Sequence, residues 1–156
     1  MRILMVCHGN ICRSPLAKAL MIVKLKEYNI TGVEVDSAGV SAQHAGEPPD
    51  ARTIKNARSH GIDVSLHRAR QFRSSDFEKF DNIYVMDSAN YADIALVADH
   101  DGQMKNVTLF LEAAHPGSHA SVPDPWYGDE EGFEHVYKIL DKGCTALAKK
   151  LKDSLL

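Results

Sequence analysis

Cysteine is scarce in this chain of 156 residues: Cys7, Cys12 and Cys144 are the whole complement. Three unevenly spread cysteines cannot form a disulfide framework. They fit a reducing, cytoplasmic setting in which a thiol stays free for chemistry. Basic charge is not in excess either. Eighteen Lys and Arg face 21 Asp and Glu, a net charge of −3, so there is no case for bulk binding of nucleic acid, which needs a basic surface. No long hydrophobic run occurs. The apolar stretch Ile3–Val6 is too short for a secretion signal, and nothing later approaches a membrane span. Repeats, linkers and low-complexity tracts are missing as well. What remains is a chain with 44% hydrophobic and 25% charged residues. Those are ordinary values for a globular protein, and its length suits one domain over residues 1–156 with a real core.

Strands and helices are expected to alternate. Ile3–Val6 reads as a buried strand, broken by Gly9 and Asn10. Ser14 and Pro15 suit a helix start, with Leu16, Leu20, Val23 and Tyr28 on its apolar side and Gly32 ending it. Val33–Val35 gives a second strand, and Ser37–Pro49 reads as loop. Asp50 can cap a helix to about His60, stopped by Gly61. Ser75 has capping-box spacing to Glu78 for a short helix. Ile83–Met86 is a third strand. Ser88 can cap a helix from Ala89 to Ala98, and Val107–Phe110 is a fourth strand. A long loop from Glu112 to Gly128 then leads to a helix from about Glu130 to Lys152, acidic at its start and basic at its end as the helix dipole prefers. This alternation predicts an α/β fold, a four-stranded parallel sheet with helices on both faces and ligands at the strands' C-terminal ends.

The segment from Cys7 to Pro15 falls between a strand end and a helix start. Backbone N–H groups there can converge on an anion, and the helix dipole reinforces them. It is not a nucleotide-binding P-loop, because no Gly-Lys-Ser/Thr follows. Instead the segment opens with Cys7 and places Arg13 six residues on. Such a cradle favours a thiolate, and a guanidinium fits two oxygens of a phosphoryl group. A nucleophile and an oxyanion cradle in one short loop suit covalent phosphoryl transfer to sulfur. That chemistry needs a proton donor for the leaving oxygen. Asp124, set between two prolines and followed by Trp126 and Tyr127, is the best candidate. Asp129 is better placed to cap the last helix, which leaves Asp124 free.

These residues resemble the low-molecular-weight protein tyrosine phosphatases over essentially the whole chain. The likeness rests on Cys7-x-Gly9-Asn10-Ile11-Cys12-Arg13-Ser14-Pro15, Asp36-Ser37-Ala38-Gly39, His67–Gln71, Met86-Asp87 and Asp124–Gly128. It implies a phosphate-binding loop after the first strand that includes His8, Gly9, Asn10, Ile11, Cys12 and Ser14. It implies Cys7 as the nucleophile forming a phosphocysteine, Arg13 on the phosphoryl oxygens, and Asp124 as acid and then base. Ser14 would hydrogen-bond the Cys7 sulfur. Asn10, supported by His67, would hold the loop. Cys12 would form a reversible disulfide with Cys7 on oxidation. No metal and no organic cofactor is implied, and the substrate would be a phosphotyrosine protein. Tyrosine phosphatases of this kind carry Ile at position 11, whereas related arginine phosphatases carry Thr. Trp126 and Tyr127 would form one aromatic wall of the pocket. Two departures stand out. His8 follows the nucleophile where a small or apolar residue is usual, and Gln43 replaces a common Trp on the opposite wall.

Other readings fare worse. Arsenate reductases of this fold need two more cysteines near residues 80–95, where this chain has none. An arginine phosphatase of the same fold is the nearer alternative, set back by Ile11. A non-catalytic phosphopeptide-binding module would be expected to have lost Cys7 or Asp124. His115 and His119 have helical metal-ligand spacing, but Pro116 and Gly117 argue against a helix there. No interface stripe that would set an oligomeric state is evident.

Overall fold

The computed structural model describes residues 1–155. Its four strands are β1 (Arg2–Cys7), β2 (Glu34–Gly39), β3 (Asn82–Val85) and β4 (Val107–Leu109), and every pairing is parallel in the order β2-β1-β3-β4. The helices are α1 (Arg13–Glu27), α2 (Ala51–Ser59), α3 (Asp76–Lys79), α4 (Ser88–Val97), α5 (Phe110–Ala114) and α6 (Glu130–Ser154), with a 3-10 turn over Asp101–Asn106. A parallel sheet is covered on both faces, so its central strand is apolar throughout. Accordingly Ile3 and Met5 of β1 join one core layer with Leu16, Leu20, Met21, Phe110 and Leu140. Leu4 and Val6 point the other way, into a layer with Phe72, Phe77, Ile83, Val85 and Ile94.

Helix ends follow local chemistry. Asp50 and Asp129 cap α2 and α6 through side-chain bonds to the Arg52 and Gly132 amides, as expected. At α2 the left-handed residue is Gly61 (φ 79°), and Ile62 N–H closes onto the Ala57 carbonyl. At α1 the same closure is made by Asn29 (φ 56°), with Ile30 N–H on the Leu25 carbonyl. Asn tolerates this conformation, so the helix ends before Gly32. Its buried face is Leu16, Ala17, Leu20, Met21 and Leu25, with Val23 and Tyr28 only half-buried.

Four further expectations need correcting. Ser37–Gly39 belongs to β2 rather than to a loop, pairing alongside Met5–Cys7. Asp87, not Ser88, caps α4 in a reciprocal capping box with Asn90. Ser75 makes no capping bond, and Asp76 instead accepts from the Arg73 amide at 2.9 Å. Phe110 leaves the sheet to begin α5, because its ring packs fully buried against Gly143 of α6.

Candidate active site

Cys7 ends β1 and α1 begins at Arg13, so residues 8–12 bridge a strand end and a helix N-terminus without regular structure. Asn10 organises this loop. It is fully buried with φ 58°. Its amide donates to Ser14 Oγ at 2.7 Å and Ser37 Oγ at 3.0 Å, and its Oδ1 accepts from the Arg70 amide at 3.0 Å. The Asn10 carbonyl lies 3.1 Å from His67 Nε2. Burial holds His67 below its ordinary range, so the neutral ring donates that bond. Ser14 Oγ stands 2.9 Å from the Cys7 sulfur. Under the loop lies Gly39. A Cβ there would meet the His8 carbonyl and the Asn10 amide nitrogen at 2.8 and 2.9 Å, both backbone. The loop can therefore rest on β2 only where β2 has no side chain.

Arg13 is 2% exposed. One guanidinium nitrogen donates to Asp87 Oδ2 at 2.6 Å and to the Val122 carbonyl at 2.9 Å; the other lies 3.6 Å from Asp124 Oδ2. Asp87 thus caps α4 and orients Arg13 together. Asp124 accepts from the Trp126 amide at 3.0 Å, and Gly128 N–H closes the turn onto the Pro125 carbonyl at 2.8 Å.

Cys7, Arg13, Asp124 and Trp126 share a cleft of about 210 Å³. Cys7, Ile11, Cys12 and Arg13 are its buried residues, while His8 and Tyr127 are exposed. Trp126 stands on one side. Gln43 also borders the cleft but is exposed. The ring that faces Trp126 is His44, at 5.6 Å between centroids, tethered to Glu47 Oε2 at 2.6 Å. His44 also packs close to Gly9. Burial pushes the Cys12 thiol up to about 12. A larger cavity of about 490 Å³ between α2 and α6 has no thiol in its lining, so size does not mark the reactive centre.

The sequence reading had no role for Asp87, Ser37 or His44. Asp87 carried a signal, since a carboxylate just past a central parallel strand lies where such sheets bind ligands. Ser37 stood only within the Asp36–Gly39 motif with no role of its own, and His44 had no signal, because each acts through a contact across the loop.

A thiol-bearing loop between the first strand and first helix of a parallel α/β sheet, facing an Arg–Asp pair, defines the class of enzyme. The family model for low molecular weight phosphotyrosine protein phosphatase matches residues 2–155. The chain belongs to that family of cysteine-dependent hydrolases. It is 40% identical, over 97% of its length and 99% of the relative's, to a putative low molecular weight protein-tyrosine-phosphatase of Synechocystis. Among solved structures it is similar to a protein tyrosine phosphatase from Entamoeba histolytica, with 36% identity, TM-score 0.90, and coverage of 100% and 99% of the two chains. It is also similar to the YwlE arginine phosphatase, a Bacillus subtilis protein, with 28% identity, TM-score 0.88, and coverage of 97% and 96%.

Proposed function

We propose that the protein hydrolyses phosphotyrosine in proteins through a phosphocysteine at Cys7. The observation that carries this reading is the convergence of the Cys7 thiol, Arg13 and Asp124 in one cleft, with Arg13 and Asp124 3.6 Å apart. The Cys7 sulfur attacks phosphorus while Arg13 and the loop amides hold the phosphoryl oxygens. The P–O bond to tyrosine breaks, and Asp124 gives its proton to the departing phenolate. Asp124 then takes a proton from water, which attacks phosphorus. The S–P bond breaks, releasing phosphate and restoring the thiolate. Ser14 hydrogen-bonds the sulfur each time it carries charge. Asn10 and His67 keep the loop in shape. A serine-for-cysteine variant of YwlE holds a phosphorylated active-site serine, which supports a covalent phosphoenzyme here.

Cys12 is the candidate partner of Cys7 for a reversible disulfide after oxidation by peroxide. Burial raises its thiol to about 12, which lowers the thiolate fraction from which that closure starts. The three free cysteines suit a reducing, cytoplasmic setting. No helix among the described residues is long and apolar enough to cross a membrane.

The likeness to YwlE favours a second substrate, phosphoarginine. The fold is common to both, and Ile11 is the residue that favours phosphotyrosine in this reading. Its side chain borders the cleft and is 6% exposed, which crowds a guanidinium and tolerates a flat ring flanked by Trp126. Initial rates on a phosphotyrosine and a phosphoarginine peptide, with Cys7→Ser as control, test both. Phosphotyrosine turnover that vanishes in Cys7→Ser is expected. Preference for phosphoarginine would overturn the argument from Ile11. Turnover surviving in Cys7→Ser would overturn the mechanism.

A further inference from the structure

We propose that Arg52 is a positioning residue for Asp124, tying the segment that bears the carboxylate to the loop that bears the thiol. The proposal rests on the reading of Asp124 as the proton donor. Arg52 is the second residue of α2. Its guanidinium is gripped by Asp50 at two points, Nε to Oδ1 at 3.0 Å and Nη2 to Oδ2 at 2.9 Å. Asp50 is itself fixed to the thiol loop, since its amide donates to the Ile11 carbonyl at 2.9 Å. From this anchor Arg52 reaches the other side of the cleft. Its guanidinium carbon lies 5.6 Å from the Trp126 ring centroid and 4.7 Å from that of Phe133. Its Nη1 is 3.4 Å from the Gly128 carbonyl. Trp126 is therefore flanked by Arg52 and His44, and the Trp126 amide donates to Asp124. A continuous chain of contacts runs from Ile11 through Asp50, Arg52 and Trp126 to Asp124.

Fold stability does not account for this arrangement. The Arg52 side chain is 38% exposed, and ion pairs at such positions add little to stability. Docking of α2 on α6 has its own contacts: Asn56 and His60 both reach Glu134, and His60 stacks on Tyr137 at 3.7 Å. What Arg52 alone supplies is a planar, two-pronged fixture with a face for aromatic rings. Proton donation needs the acid within hydrogen-bond reach of the leaving oxygen, and Asp124 sits on a segment between two prolines with an exposed carboxylate. An error of about 1 Å in such placement costs up to roughly 100-fold in rate.

The readout is leaving-group dependence. Phenyl phosphate leaves as a basic phenolate and needs the proton; p-nitrophenyl phosphate leaves as a stabilised anion and needs it far less. Arg52→Gln is expected to lower kcat/KM on phenyl phosphate roughly tenfold more than on p-nitrophenyl phosphate, with thermal unfolding little changed. Arg52→Lys keeps the charge but not the fork or the plane, so it should behave like Arg52→Gln. Asp124→Asn should show the same selectivity more strongly, and Arg52→Gln added to it should bring no further selectivity. Equal losses on both substrates, no loss, or independent effects in the double variant would overturn the proposal. If Asp124→Asn discriminates and neither Arg52 variant does, only the positioning role fails. If Asp124→Asn fails to discriminate, the proton-donor reading fails and this proposal with it.

Discussion

Replacing Asn10 with alanine removes three side-chain hydrogen bonds inside the protein: two donated to Ser14 and Ser37, one accepted from the Arg70 amide. At a net of about 1 kcal/mol each they contribute about 3 kcal/mol. Asn10 also holds φ at 58°, a conformation that costs alanine about 1 kcal/mol more. The expected loss is therefore about 4 kcal/mol, a large share of the roughly 5–15 kcal/mol by which domains are stable. Urea unfolding followed by circular dichroism measures it, and with a slope of about 2 kcal/mol per molar the midpoint falls by about 2 M. Asn10→Gly separates the two contributions. It loses the same bonds but not the backbone strain, so it should be more stable than Asn10→Ala by roughly 0.5–1 kcal/mol. Inorganic phosphate should raise the midpoint of the wild type by ligand linkage and that of Asn10→Ala much less. A loss below about 1 kcal/mol, or a glycine variant no more stable than the alanine variant, would refute the account of Asn10 as the loop's keystone.

Three other expectations can be checked separately. Gly143→Ala would place a Cβ about 2.5 Å from the buried Phe110 ring. Overpacking of about 1–3 kcal/mol outweighs the helix-propensity gain of about 1 kcal/mol, so the melting temperature should fall; a rise would show that the ring yields freely. Arg13→Lys should lower kcat/KM by roughly 100-fold or more, since an ammonium cannot hold Asp87 and Val122 and also present a planar two-pronged edge to phosphoryl oxygens; turnover near that of the wild type would contradict the role given to Arg13. His67 is held below its ordinary range by burial, so as pH drops below about 6.5 the unfolded ring takes up a proton before the folded one, and the folded state loses stability. The contribution is present above that pH and disappears as pH falls through the folded value. His67→Gln keeps a donor without titrating there, and its stability should decline less between pH 7 and 5; identical profiles would count against the neutral ring.

The fold was legible wherever chain-local chemistry decides it. Ile3–Val6 reads as a buried strand because it is one, and Asp50, Gly61 and Asp129 mark helix ends by their own preferences. Ser37-Ala38-Gly39 was misread for the opposite reason. Small residues have weak strand propensity, and only pairing with Met5–Cys7 makes them strand. Phe110 likewise follows its partner Gly143 rather than the strand pattern before it. In the candidate site, Cys7, Arg13 and Ser14 were legible because one loop presents them in order. Asp124 was legible from its prolines and aromatics. His44, Ser37 and the contacts of Arg52 were not, because each gains meaning only from a group far away in the chain.

That distance bears on how the protein becomes active. Arg13 is completed by the Val122 carbonyl and Asp124, more than a hundred residues downstream, and the Val122 amide is pinned to the end of β3 through the Met86 carbonyl. A chain emerging from the ribosome thus makes its thiol loop early and its carboxylate late. Contacts of such long sequence separation form slowly. Until the Asp124 segment docks against Arg13, the nascent chain carries a thiol without the carboxylate proposed to protonate the leaving group. Recovery of turnover during refolding should accordingly trail recovery of helical signal, and enzymatic activity becomes a clock for the last step of chain closure.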